Sequence, residues 1–73
     1  MDWTGCELVE VIEGKVSGVP LVAGTRIPAD VIAENHLLGQ SVEEILEDYP
    51  RLSRDIVERL IAFQMDRLAA SAA

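Results

Sequence analysis

Cysteine, histidine and aromatic residues are scarce in this sequence: one Cys, one His, one Trp, one Tyr and one Phe among 73 residues. A single cysteine, Cys6, excludes a disulfide within the chain. The opening Met1-Asp2-Trp3-Thr4-Gly5 lacks the basic run and apolar stretch of a secretion signal. Together these read as a reduced, cytoplasmic protein. His36 has no second His or Cys at ligand spacing, so neither a metal site nor a cofactor is expected. No run approaches the ~20 apolar residues of a membrane span. With so few aromatics, the core is expected from Val, Ile, Leu and Ala. A chain this short buries only about 60–65% of the surface its unfolded form exposes. With disulfide and metal set aside, a partner chain is the remaining source of stability. Positive charge is short too, and the formal net charge is −7. That balance favours solubility and basic partners, and it opposes free association with phosphate backbones.

Catalytic groupings are equally thin. Glu43, Glu44, Glu47 and Asp48 read as the solvated face of a short helix, with acids at its N-terminal end favoured by the macrodipole. His36 has no serine or cysteine placed for a relay, and Cys6 has no basic neighbour to lower its pKa. The reading is a non-enzymatic domain.

What is present is a single domain that changes character near Arg26. Before it, β-branched residues alternate with polar ones and predict two short strands, 8–12 and 19–23, within a strand unit spanning about 7–23. Gly14 and Ser17-Gly18 are the turn residues between them. Pro20 cannot donate to a ladder, which places the second strand at an edge or paired on one side only. After Arg26, the spacing predicts helices over about 28–38, 42–48 and 54–69. Pro28 suits the first helical position and Gly39 a left-handed stop. Ser41 and Glu44 form a capping box, Pro50 ends the second helix, and Ser53 caps the third. Val42, Ile45 and Leu46 face inward on the second helix. On the third, Val57, Leu60, Ile61, Gln64 and Leu68 form one stripe, widened by Ile56 and Phe63. The fold class is α+β: a short N-terminal β-hairpin unit followed by a trihelical, helix–turn–helix-like bundle.

Two surfaces follow. A short capped helix, a turn at Tyr49-Pro50-Arg51-Leu52 and a longer third helix have helix–turn–helix dimensions. DNA would then be met by Arg51, Arg54 and Arg59, against the opposing charges of Asp55 and Glu58. Trihelical packing without any DNA role is the other reading. A protein partner would be met by Ile56 and Phe63, extended by the alanine-rich end, unless Phe63 fills the domain's own core. In Ala23-Gly24-Thr25-Arg26-Ile27-Pro28, Arg26 is the one residue that turn geometry does not require. It either bonds helix or loop carbonyls, pairs with an acid such as Glu34 or Asp30, or contacts a partner.

The ordered run Gly14-Lys15-Val16-Ser17-Gly18, Pro20, Gly24-Thr25-Arg26-Ile27-Pro28 resembles domain-of-unknown-function family 433. The likeness continues through Val31, Glu34-Asn35, Gly39, Ser41-Val42-Glu43-Glu44-Ile45 and Tyr49-Pro50, and covers about residues 8 to 65. The resemblance implies a strand-preceded trihelical domain that often forms a homodimer through its strands. It also implies similarity to antitoxins of Vap-type toxin–antitoxin pairs, whose partner is a PIN-like ribonuclease toxin. By the same resemblance, Arg26 and the Arg54-containing helix are partner or DNA contacts. Two departures turn the expectation from DNA towards protein: Ala23 stands where many members carry a basic residue, and Leu37 and Leu38 stand where a polar residue is common. The function expected is an antitoxin-like module that neutralises such a toxin, with operator DNA as a further ligand. The alternative is a stand-alone dimeric structural or DNA-binding regulatory protein without a toxin.

Overall fold

The computed structural model describes residues 1–14 and 18–72, so the expected Ser17-Gly18 turn and the Lys15-Val16-Ser17 part of the matching run lie largely outside the described residues. In chain order the elements are β1 (Val9–Glu10), β2 (Leu21–Val22), α1 (Ala29–Leu37), α2 (Val42–Asp48) and α3 (Arg54–Ala72). The architecture is α+β, a two-stranded antiparallel hairpin followed by three helices.

The strands are shorter than their β-propensity predicts. Val9 stands opposite Val22 and Glu10 opposite Leu21, while Val11, Ile12 and Val19 are exposed outside the ladder. Pro20, next to β2, has no N–H to give, and its carbonyl is taken by the Ala29 N–H at 3.0 Å. The edge also differs from expectation. β2 pairs with β1 on one side, and on the other it bridges to Pro28, with the Val22 N–H donating to the Ile27 carbonyl at 2.9 Å. The strand beside Pro20 is therefore flanked on both sides, and β1 is left as the edge.

That bridge also sets where α1 begins. Pro28 is held extended (φ −61°, ψ 128°) and serves as the N-cap, so the helix starts one residue later than expected, at Ala29. Its far end is a Schellman motif: the Gly39 N–H reaches the His36 carbonyl and the Gln40 N–H the Asn35 carbonyl, both at 3.0 Å. The motif needs a left-handed residue at Gly39, whose φ of 104° costs glycine little.

The capping box at the head of α2 is complete. Ser41 Oγ accepts the Glu44 N–H at 3.2 Å, and Glu44 Oε1 accepts the Ser41 N–H at 3.0 Å. Tyr49 leaves the helical region because a residue before proline is pushed towards extended backbone. Ser53 Oγ then accepts the Ile56 N–H at 3.2 Å and starts α3.

α3 packs across both other helices. Val57, Leu60, Ile61 and Gln64 are buried against Ile32 and Ala33 of α1 and Ile45 of α2, with Val22 and Leu52 completing the core. Each fully buried aliphatic side chain contributes roughly 1.5–3 kcal/mol relative to exposure. Ala29 and Ala33, one turn apart and fully buried, let α1 approach closely. Two sequence expectations are corrected here. Leu68, placed in the inward stripe, is 50% exposed, because α3 runs beyond the residues that cover it. And the core is not purely aliphatic, since Trp3 is buried within it.

Trp3 enters the core through a clasp between the N-terminal segment and α3. Its indole N–H donates to Asp30 Oδ1 at 2.6 Å. Buried Gln64 satisfies its amide by donating to the Asp2 carbonyl at 2.7 Å. Arg67 pairs with the Asp2 carboxylate at 3.0 Å and also donates to the Thr4 carbonyl.

Candidate functional site

The α2–turn–α3 segment has the outline of a helix–turn–helix, but its cations are largely engaged. Arg54 donates to Glu43 Oε1 at 2.6 Å across from α2 and lies 3.9 Å from Glu58 one turn along α3. The hydrogen bond from Arg54 is the main reason the Glu43 carboxyl is held below its ordinary value, and the Arg54 guanidinium is pushed up in return. Arg59 pairs with Asp55 at 3.6 Å. All of these side chains are about half exposed or more, so each pair is worth little stability, yet each sets a cation beside an acid. Of the three arginines read as DNA contacts, only Arg51 lacks an ion pair among the described residues.

Arg51 is brought instead to the turn after β2. There the Thr25 N–H closes onto the Val22 carbonyl at 3.0 Å, and Thr25 Oγ donates to the same carbonyl at 2.8 Å. The same oxygen accepts the Ile27 N–H at 3.0 Å. Gly24, at φ 76°, gives its N–H to Glu10 Oε1 at 3.0 Å. These bonds fix the backbone on both sides of Arg26 and leave its exposed side chain free of the turn. Arg26 pairs with neither Asp30, which is engaged with Trp3, nor Glu34. With Arg51 it lines one open cavity of about 360 Å³, walled by Gly24, Thr25 and Ile27.

A second cavity, of about 320 Å³, is a groove between the N-terminal segment and α3. Cys6, Leu8, Ala62 and Phe63 give it an apolar lining, and Glu7, Asp66 and Arg59 give it charged edges, two acidic and one basic. Phe63 is half-buried: its ring stacks on Trp3 with centroids 5.8 Å apart, and the Arg67 guanidinium lies 4.7 Å from the ring centre. Ile56 is half-buried against the core. Phe63 therefore serves the core and also lines a surface groove. Sequence reasoning missed the clasp of Asp2, Trp3, Gln64 and Arg67, because contacts across more than sixty residues leave no local periodicity. The one available signal was an isolated tryptophan in a chain almost without aromatics.

Strand hairpin, flanking bridge and three helices define a small α+β domain with surface cavities and with Arg54, Arg59 and Arg67 paired to acids. A family model described as Protein of unknown function (DUF433) matches residues 9–63, and the chain belongs to that family. No curated protein and no solved structure matches the chain. Both ends of the clasp, Asp2 to Thr4 and Gln64 to Arg67, fall outside the matched residues.

Proposed function

We propose that the chain is an antitoxin-like protein-binding module whose partner is a basic, PIN-like ribonuclease toxin. The observation that carries this reading is the pairing of Arg54 and Arg59 with Glu43 and Asp55 on the face that a DNA-reading helix would present. With those cations neutralised and a net charge of −7, the long-range field attracts a basic protein and repels a nucleic acid. The groove beside Phe63 supplies the short-range half of the contact, an apolar floor edged by Glu7 and Asp66 and by Arg59, which is itself paired with Asp55. The ribonuclease class of the partner rests on the family's likeness to toxin–antitoxin modules. Operator binding belongs to the toxin-bound complex, in which a basic partner offsets the acidic surface.

The test is co-expression with the product of the adjacent reading frame, followed by affinity capture and an RNA-cleavage assay. A ribonuclease should co-purify and be inhibited. Exposed Ala62 lines the groove, so Ala62→Arg should abolish capture while leaving the melting temperature unchanged. Full capture and inhibition by Ala62→Arg would move the contact off the groove. A chain that captures no ribonuclease and stays self-associated favours the stand-alone dimer.

A further inference from the structure

We propose that Arg26 and Arg51 together form a binding site for one phosphate monoester group, separate from the groove beside Phe63. Cations are few in this acidic chain, six Lys and Arg against thirteen Asp and Glu. Arg54, Arg59 and Arg67 each pair with a carboxylate. Arg26 and Arg51 pair with none among the described residues, yet the turn after β2 and the turn before α3 bring them to one cavity. Among the described residues no acid lines that cavity; the Glu10 carboxylate reaches the turn from β1, where it accepts the Gly24 N–H at 3.0 Å, and is not part of the lining. Two guanidiniums at one cavity, neither ion-paired with a carboxylate, are a place for an anion from outside.

The charge of that anion follows from the pair. One guanidinium balances a single carboxylate, whereas two match a phosphate monoester, which carries about −1.5 to −2 at neutral pH. Its three terminal oxygens can accept from both planar forks at once. A cavity of about 360 Å³ is at the small end for ligand sites and holds the phosphate plus a small organic portion against Ile27. A duplex backbone fits less well: its phosphates carry one charge each, and a strand laid along α3 would meet Asp55 and Glu58. The backbone that carries Arg26 is held on both sides, since Thr25 Oγ donates to the Val22 carbonyl and accepts the Ile27 N–H.

The experiment is a nitrogen–proton NMR titration of the full chain at physiological salt, with inorganic phosphate, a phosphoserine peptide and its unphosphorylated form, and a short DNA duplex. Inorganic phosphate should shift the side-chain Nε–H signals of Arg26 and Arg51 together, with millimolar affinity. Arg26→Gln and Arg51→Gln should each weaken binding by about tenfold, a loss of about 1.4 kcal/mol, with the rest of the spectrum unchanged. Tighter binding of the phosphopeptide than of free phosphate assigns the site to a phosphorylated side chain; the reverse order assigns it to a small phosphorylated molecule. The proposal is overturned if neither arginine responds to phosphate, if the double Gln variant responds equally, or if duplex DNA binds more tightly per phosphate than phosphate itself. None of these outcomes depends on whether a ribonuclease is captured, so this site and the groove fail separately.

Discussion

The Trp3 ring lies nearly parallel to that of Phe63, with centroids 5.8 Å apart and planes inclined by 14°. Trp3 comes from the N-terminal segment and Phe63 from the middle of α3, so the stack ties one end of the chain to the longest helix. The Trp3 indole is fixed from the other direction by Asp30 at 2.6 Å. Packing and hydrogen bonding thus hold one side chain between α1 and α3.

Replacing Trp3 should therefore be the most damaging single change outside the family-matched residues. Trp3→Ala is expected to cost about 3–5 kcal/mol, the usual loss for a large aromatic removed from a core. In a domain of this size each kcal/mol lowers the melting temperature by about 4–8 °C. Trp3→Phe keeps most of the ring and loses the bond to Asp30, and should cost about 1–3 kcal/mol. Urea unfolding of the three proteins checks both values. A Trp3→Ala variant as stable as the parent would mean that the clasp is dispensable.

The contrast between these contacts and the capped helices shows what was legible in the sequence. Ser41 and Glu44 lie three residues apart and specify their capping box locally, so α2 is readable to the residue. Gly39 is read in the same way, because a left-handed stop is a property of one position. The strands were less readable, since the ladder ends where Pro20 and the Leu21–Pro28 bridge intervene, and that bridge depends on a neighbour formed later in the chain. The arginines illustrate the same limit. Arg51, Arg54 and Arg59 look equivalent in sequence, and only the fold places Glu43 against Arg54 while bringing Arg51 to Arg26.

The Glu43–Arg54 pair makes a pH prediction with a definite sign. Arg54 holds the folded-state pKa of Glu43 below its ordinary value of 4.5. The contribution of the pair is therefore fully present above that unfolded value and is lost as pH falls through the lowered folded value. A carboxyl-carbon NMR titration should show the Glu43 midpoint below 4.5, and Arg54→Gln should return it upward. An unchanged midpoint in Arg54→Gln would show that the contact is not formed in solution.

DNA binding by the free chain should be weak. With Arg54 and Arg59 engaged, few phosphates are neutralised, and the logarithm of affinity should fall only by about 0.9 per contact with the logarithm of salt. Fluorescence anisotropy at physiological salt should give a dissociation constant no tighter than roughly 10⁻⁵ M for any duplex. Removing the paired acids with Glu43→Gln and Asp55→Asn should strengthen binding and steepen the salt slope. Nanomolar binding of a defined operator by the isolated, unmodified chain would refute this account of the surface.

Self-association follows from the sheet edge. β2 is flanked by β1 and by the bridge to Pro28, so among the described residues the outer side of β1 is the one without a strand neighbour, its Val9 N–H held only by the Cys6 carbonyl at 3.3 Å. Val11 and Ile12 continue from β1 into solvent, 63% and 39% exposed. An edge strand with apolar residues beside it is a template for another strand, and natural proteins commonly blunt such edges with charge. Here the nearest supply of a matching strand is a second copy of the chain. Two β1 edges pairing antiparallel across a two-fold axis would join two hairpins into one four-stranded sheet and cover Val11 and Ile12. Such an interface is stable if it buries on the order of 1,200–2,000 Å² in total. Sedimentation equilibrium at tens of micromolar protein should accordingly report a dimer. Val11→Lys, which places a charge beside the edge without touching the core, should convert it to monomer at unchanged helical content. A parent chain that sediments as monomer alone at that concentration rules out pairing through β1.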